Sequence, residues 1–296
     1  MDHHNAKKSR WKNFAVVLVY RAMTSKYLRG VCRWEGGVLM LPSFCSVCIK
    51  STHETNLSEA HAMEFVRSNT SIPVPKVYQA FERKGRVYIV MERIKAANVG
   101  NKWSSISNTS RERIFQQLRP MIEELRTLQP PKGMGVANVD GGPIFDPRLP
   151  TQSEWGPFSD IDDFHKALVD HQDIGSVVDE NYGDLRELAA FYRQTWSQPV
   201  FTHGDLSSFN ILYDGERVVG IIDWETAGWL PSYWEYVTAG NANPQNAFWQ
   251  AEVDRFLQPL PHARAMDSSH VATFKGLNSP ELAVPSKRCR NFFCST

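Results

Sequence analysis

The sequence predicts an α+β fold of two unequal lobes, the smaller rich in β-strand and the larger mainly helical. Three observations carry this expectation. Short apolar runs of β character, with one helical pattern among them, fill the chain up to residue 94. A long amphipathic pattern follows, and a compact β region near residues 200–222 is set among further helical stretches. With 296 residues, 42% hydrophobic and 22% charged, the chain is long enough for one large domain or two lobes around a cleft. Lys+Arg 33 against Asp+Glu 32 leaves a net charge of +1, which gives no electrostatic case for a nucleic-acid or membrane-surface partner.

Residues 14–20 form a short apolar run that reads as a buried strand, well below the roughly 18 to 20 residues needed to span a bilayer. Lys7, Lys8, Arg10 and Lys12 precede it, but no small-residue cleavage site follows closely, which argues against a secretion signal. Further strands are predicted over residues 38–41 and 44–49. Five cysteines, odd in number and sparse, make no disulfide framework; Cys45 and Cys48 read as buried residues of a strand, and a reducing, cytoplasmic compartment is expected.

From Leu57 the periodicity becomes helical, with Leu57, Ala60, Met63, Phe65 and Val66 largely on one face and Asn56 and Glu59 spaced as a capping box. Pro73 and Pro75 end that helix. Residues 77–81 and 87–91 read as a hairpin with Gly85 in its turn, and 95–108 as a polar linker. Ile114, Phe115, Leu118, Met121, Ile122, Leu125 and Leu128 mark a long amphipathic helix that Pro120 is expected to kink or break. A long loop over 130–160 and helices over 161–170 and 183–196 come next. Residues 200–202, 211–213 and 218–222 read as strands, the last two joined through Asp214-Gly215. The chain is then helical and Trp-rich to about residue 257, and from Asp267 it loses periodicity. Trp224, Trp229, Tyr233, Trp234 and Tyr236 are expected to pack a core rather than line a pocket, and His53, His61, His165 and His171 to lie on the surface.

The strongest chemical signal is His203-Gly-Asp205 followed, after four intervening residues, by Asn210. This is the catalytic-loop spacing of kinases: the Asp accepts or orients the proton of an attacking hydroxyl, and the Asn offers a neutral oxygen to magnesium. His203 would hold the loop backbone. Thirteen residues beyond Asn210, Asp223 ends an apolar strand, where kinases place a second magnesium-binding carboxylate. Lys50 ends another β stretch, as a phosphate-binding lysine does, and its expected partner is Glu59 on the next helix, with Glu64 the rival.

The segments Phe201-Thr-His-Gly-Asp-Leu-Ser-Ser-Phe-Asn-Ile-Leu212, Gly220-Ile-Ile-Asp-Trp-Glu-Thr-Ala-Gly-Trp229 and Tyr233-Trp-Glu-Tyr236 resemble the aminoglycoside phosphotransferase family, its fungal branch in particular. So do Ser68-Asn-Thr-Ser-Ile-Pro-Val-Pro-Lys-Val77, Val87-Tyr-Ile-Val-Met-Glu92, Gly141-Gly-Pro-Ile-Phe-Asp-Pro-Arg148 and Trp155-Gly-Pro-Phe158. The resemblance runs from about Lys50 to Met266. It implies a bilobal protein-kinase-like fold and transfer of the γ-phosphate of ATP, with magnesium, to a hydroxyl of a small molecule. It further implies that Asp205 is the catalytic base, that Asn210 and Asp223 are magnesium ligands, and that Met91, Glu92 and Ile94 belong to the hinge that meets the adenine. Glu235 stands where many bacterial relatives carry a supporting Asp and reads as structural. The implied division is an N-lobe over 1–94, a C-lobe over 95–266 and an irregular tail over 267–296.

The chain departs from the pattern in its first 40 and last 30 residues, which fit the family poorly, and in its phosphate loop. No Gly-x-Gly-x-x-Gly precedes Lys50, since Gly30, Gly36 and Gly37 are the only glycines that far. This keeps open a second expectation, a catalytically impaired nucleotide-binding or scaffold protein. Protein-kinase activity is not expected, because Trp-Glu rather than Phe-Gly follows Asp223 and no Ala-Pro-Glu segment comes after it.

Overall fold

Beta-forming residues near the start of the chain assemble a five-stranded antiparallel sheet in this computed structural model, which describes residues 3–28, 31–42, 44–52, 55–147, 149, 154–171, 183–240 and 244–266. Helix α1 (His3–Thr24) leads into β1 (Arg33–Glu35), β2 (Val38–Met40) and β3 (Val47–Lys50); α2 (Leu57–Asn69) is followed by β4 (Val77–Glu82) and β5 (Val87–Glu92). The sheet order is β1-β2-β3-β5-β4. Gly36 and Gly37, at φ 54° and 87°, make the two-residue turn between β1 and β2, a conformation that glycine adopts without steric cost. Side chains alternate between the two faces along β2, β3 and β5, while the pairing of β4 is irregular between Val77 and Gln79. Val38, Met40, Cys48, Ile89 and Met91 join α2 in the main core, whereas Leu39, Ile49 and Tyr88 meet α1 on the other face.

That second face explains the first correction. Residues 14–20 belong to α1, not to a strand, because the apolar run has helical rather than alternating contacts: Val17 and Tyr20, three apart, are the residues it buries on the sheet. The Tyr20 hydroxyl lies 2.8 Å from the Ser51 carbonyl oxygen and 3.1 Å from that of Gly37, fastening the helix to the end of β3. Cys45 is a further correction. It is exposed in the turn before β3, so that of this pair Cys48 alone is buried. Burial pushes the Cys48 thiol up to about 12, leaving it a small apolar filler.

The stretch read as a polar linker is ordered as well. It holds β6 (Ala97–Asn98) and the one-turn α3 (Val99–Lys102), capped by the Asn98 side chain, which accepts from the Asn101 amide at 2.8 Å. Helix α4 (Asn108–Thr127) runs through Pro120 without a break. Pro120 is exposed, so the carbonyl it deprives of an intrahelical donor is on the solvent side and the buried seam is undisturbed. The predicted long loop carries β7 (Ala137–Asn138), β8 (Ile144–Phe145) and β9 (Glu154–Trp155), followed by α5 (Ile161–Leu168) and α6 (Gly183–Arg193).

Strands β10 (Val200–Thr202), β11 (Ile211–Asp214), β12 (Arg217–Ile221) and β13 (Gly228–Leu230) then form two small sheets, β10-β13-β7 and β12-β11-β6, before α7 (Trp234–Gly240). Beyond it, the expected helix up to residue 257 is made of short 3-10 turns. The chain is thus α+β and bilobal, a β-rich lobe against a larger helical one. All five aromatics from Trp224 to Tyr236 are buried, as expected. His165 is the exception among the histidines expected on the surface: it is 2% exposed within a second core built on α5 and α6. His61 is part-exposed and His171 exposed, while His53 and the tail from Asp267 lie outside the described residues. Among the described residues, no helix is long and apolar enough to cross a membrane.

Candidate active site

Lys50, the last residue of β3, is carried inward by the alternation of the strand and is 3% exposed. An ammonium buried to this degree needs anionic partners. Glu59 Oε1 stands 2.9 Å from Nζ, Asp223 Oδ1 2.6 Å and Glu225 Oε2 3.0 Å. Burial opposes the ammonium, but Asp223, Glu225 and Glu59 together raise its pKa well above the ordinary lysine value. Burial also pushes Glu59 upward against the pull of Lys50. The same effect, with Asp223 and Glu59 adding to it, pushes Glu225 up to about 8. Glu59 is positioned by the start of α2, where the Asn56 side chain accepts from the Glu59 amide at 3.1 Å. Only half of the expected capping box forms, because the Glu59 carboxylate turns to Lys50. Glu64 is exposed and not part of the cluster.

The loop after β10 is held from several sides. His203 is fully buried, with Nε2 at 3.0 Å from the Ile222 carbonyl oxygen, and the Asp205 amide lies 3.1 Å from Nδ1. Those two contacts assign the proton to Nε2 and the acceptor to Nδ1. Glu235 accepts from the amides of His203 at 2.7 Å and Gly204 at 3.2 Å. Trp249 Nε1 donates to the Leu206 carbonyl at 3.0 Å, and Thr226 Oγ1 to that of His203 at 2.9 Å. Gly204 has φ 81°, and a Cβ there would stand 2.6 Å from the Thr226 carbonyl oxygen, so the turn requires glycine.

Asn210 Nδ2 donates to Asp205 Oδ2 at 3.0 Å and to its carbonyl at 2.8 Å, tying the two ends of the loop together. The Ile222 amide donates to the Asn210 carbonyl at 3.0 Å, which brings the residue before Asp223 against the loop. Asp223 itself adopts a left-handed backbone, φ 66° and ψ 61°, as the chain leaves β12 for the turn that carries Glu225.

A cleft between the lobes holds about 410 Å³ of empty space, part of it open to solvent. Val38, Lys50, Glu59, Met91, Glu92, Ile94, Leu212, Ile222 and Asp223 are among the residues that line it. His203, Asp205 and Asn210 are not in its wall, and the loop is joined to it at Ile222 through the bonds just given. Gly220 leaves room for Ile94, whose Cδ1 would lie 2.6 Å from a Cβ at that position. As a donor set, the Asp223 carboxylate and the Asn210 amide oxygen are hard oxygen ligands, the kind that suits magnesium. The carboxylate oxygens of Glu59, Asp223 and Glu225 lie within 4.8 Å of one another.

Sequence reasoning missed Glu225, Thr226 and Trp249. The only sequence signal for Glu225 was its place two residues after Asp223; the other two contact the loop from segments that no spacing connects to it.

Known proteins share this arrangement of elements. The model of the phosphotransferase enzyme family matches residues 38–267, well over half of the chain. An aminoglycoside 3'-phosphotransferase of Niallia circulans is 24% identical over 192 residues, which make up 65% of this chain and 66% of that protein, just under two thirds of its length. Among solved structures, a thermostable mutant of aminoglycoside phosphotransferase APH(4)-Ia in ternary complex with AMP-PNP and hygromycin B superposes with a TM-score of 0.54 at 18% identity, covering 76% of each chain. Its complex with ADP and hygromycin B gives 0.53 at 16% identity, again over 76% of each. At those identities the likeness establishes the fold, which is the protein-kinase-like one.

Proposed function

The chain belongs to the phosphotransferase enzyme family, and on that premise we propose that it transfers the γ-phosphate of ATP, in the presence of magnesium, to a hydroxyl of a small molecule. What supports this most is the junction of Lys50, Glu59 and Asp223 in the cavity wall with the Asp205–Asn210 loop joined to that wall at Ile222. Phosphoryl transfer asks mainly for positioning and charge compensation, and little covalent chemistry of the protein.

In this reading the residues divide the work. Asp205 orients the acceptor hydroxyl and takes its proton, held by the Asn210 amide on one carboxylate oxygen. His203 acts through the backbone, fixing the loop to Ile222 and to the Asp205 amide. Asn210 Oδ1 and the Asp223 carboxylate would hold magnesium, which supplies charge neutralisation between phosphates when bound. Lys50, aligned by Glu59, binds phosphate oxygens. Met91, Glu92 and Ile94 form the hinge against the adenine, and a division into 1–94 and 95–266 goes with that reading, supported by the pairing of β6 with β11. The impaired-protein alternative rested on the missing glycine motif and on termini that fit the family poorly. It gains no support, because β1, β2 and β3 assemble without that motif and no catalytic-loop residue is replaced.

The test is Asp205→Asn, assayed by ATP consumption across a panel of aminoglycosides, sugars and amino alcohols. Turnover is expected to fall by about 10² to 10⁴, the usual worth of a general base, while AMP-PNP affinity measured by calorimetry stays within about twofold. Undiminished turnover in the variant removes Asp205 from the role.

A further inference from the structure

An ammonium has three N–H donors, and those of Lys50 face three carboxylates: Glu59, Asp223 and Glu225. In this arrangement no donor remains for a phosphate. Any anion that comes to Lys50 must displace one of the three, and the way each is held decides which. The Glu59 side chain is 1% exposed and anchored at the capped start of α2. Asp223, at 17%, sits at the end of β12 in a constrained left-handed backbone. The Glu225 side chain, at 27%, is the most exposed of the three and rides on a single 3-10 turn.

We propose that Glu225 is a phosphate stand-in: its carboxylate occupies the Lys50 donor that a nucleotide phosphate must take, and it yields only to the metal complex of the nucleotide. The inference rests on the reading of this cleft as an ATP–magnesium site. Its physical basis is charge. Once Glu225 is ionised, above the value of about 8 to which burial pushes it, a bare triphosphate approaching Lys50 meets three carboxylates against one ammonium, so it is repelled and cannot displace Glu225. A divalent cation lowers the charge of the nucleotide and draws on Asp223, which lets the phosphate exchange with Glu225 on Nζ. Glu225 therefore couples nucleotide affinity to metal more tightly than Lys50, Glu59 and Asp223 would without it.

Calorimetry of AMP-PNP binding at pH 9, where Glu225 is ionised, with magnesium and separately with EDTA, tests this on wild type and Glu225→Gln, an isosteric change. The variant is expected to bind metal-free AMP-PNP about tenfold more tightly than wild type, the worth of one unit of like charge at this range. Its affinity for the magnesium complex should change by less than about threefold. Glu225→Ala should move metal-free affinity in the same direction, which keeps the outcome readable if one variant folds poorly. Unchanged metal-free affinity in both variants overturns the inference and leaves the ATP reading standing. So does loss of magnesium-complex binding, which would make Glu225 a metal ligand instead. A wild type that binds AMP-PNP in neither condition overturns the ATP reading and the inference together.

Discussion

Glu235 works through the backbone. Its carboxylate is 2% exposed and accepts from two consecutive amides, His203 and Gly204, at the point where β10 gives way to the loop that carries Asp205. Hydrogen bonds to an ionised acceptor are stronger than neutral ones. Glu235→Gln keeps the shape but turns an amide NH2 toward one of those donors. That leaves a buried N–H unsatisfied and is expected to cost about 1 to 3 kcal/mol, read from the denaturant midpoint. A variant as stable as wild type would show that the loop holds itself. Residues of this kind mark the limit of legibility at this scale. That His203, Asp205 and Asn210 form one bonded loop could be read from the chain because a short local spacing joins them. Glu225 could not be read as a partner of Lys50, because 175 residues separate them and only the folded turn after β12 brings them to 3.0 Å.

At the scale of elements, local signals located a helix well when they included its cap. The start of α2 was legible from Asn56 and Glu59, and the Asn56 side chain does accept from the Glu59 amide and from Ser58 Oγ, at 3.1 and 2.6 Å. Asn56→Ala is expected to cost about 1 kcal/mol, seen as a lower melting temperature. It should also weaken magnesium–AMP-PNP binding a few-fold, because the first turn of α2 carries Glu59 to Lys50. A drop in stability with unchanged nucleotide affinity would separate the cap from the site. Where the signal was hydrophobicity alone, the element was misread. The run at residues 14–20 is apolar on every side, so it shows neither a strand nor a helix period, and only its contact with the outer face of the sheet decides the matter. Pro120 is the reverse case, a strong local breaker overridden because it falls on the exposed side of a helix whose buried face holds Ile114, Phe115, Leu118, Ile122 and Leu125.

Taken as a whole, the molecule buries two sets of titratable groups with opposite effects on acid stability. His165 ties α5 to α6, stacked on Tyr192 with ring centroids 4.3 Å apart and with Nε2 2.8 Å from the Tyr233 hydroxyl. Burial lowers its pKa from 6.5 to about 4. Between those values the unfolded chain takes up a proton that the folded chain refuses, so stability rises with pH across the window. The contribution is fully present above pH 6.5 and is lost as pH falls toward 4. Glu225, raised from 4.5 to about 8, acts in the opposite sense, favouring the folded state at low pH and losing that effect as pH rises through its folded value. The total stability profile therefore mixes both, and His165 has to be read by difference. His165→Phe preserves the ring stack and cannot be protonated, and the Glu225 contribution is common to both proteins. The stability gap between wild type and this variant is expected to shrink by up to about 3 kcal/mol from pH 7 to pH 4, measured by urea unfolding at each pH. A gap that stays constant over that range would mean the imidazole gains its proton as readily in the folded protein as in the unfolded chain, and that the second core does not exclude the charge.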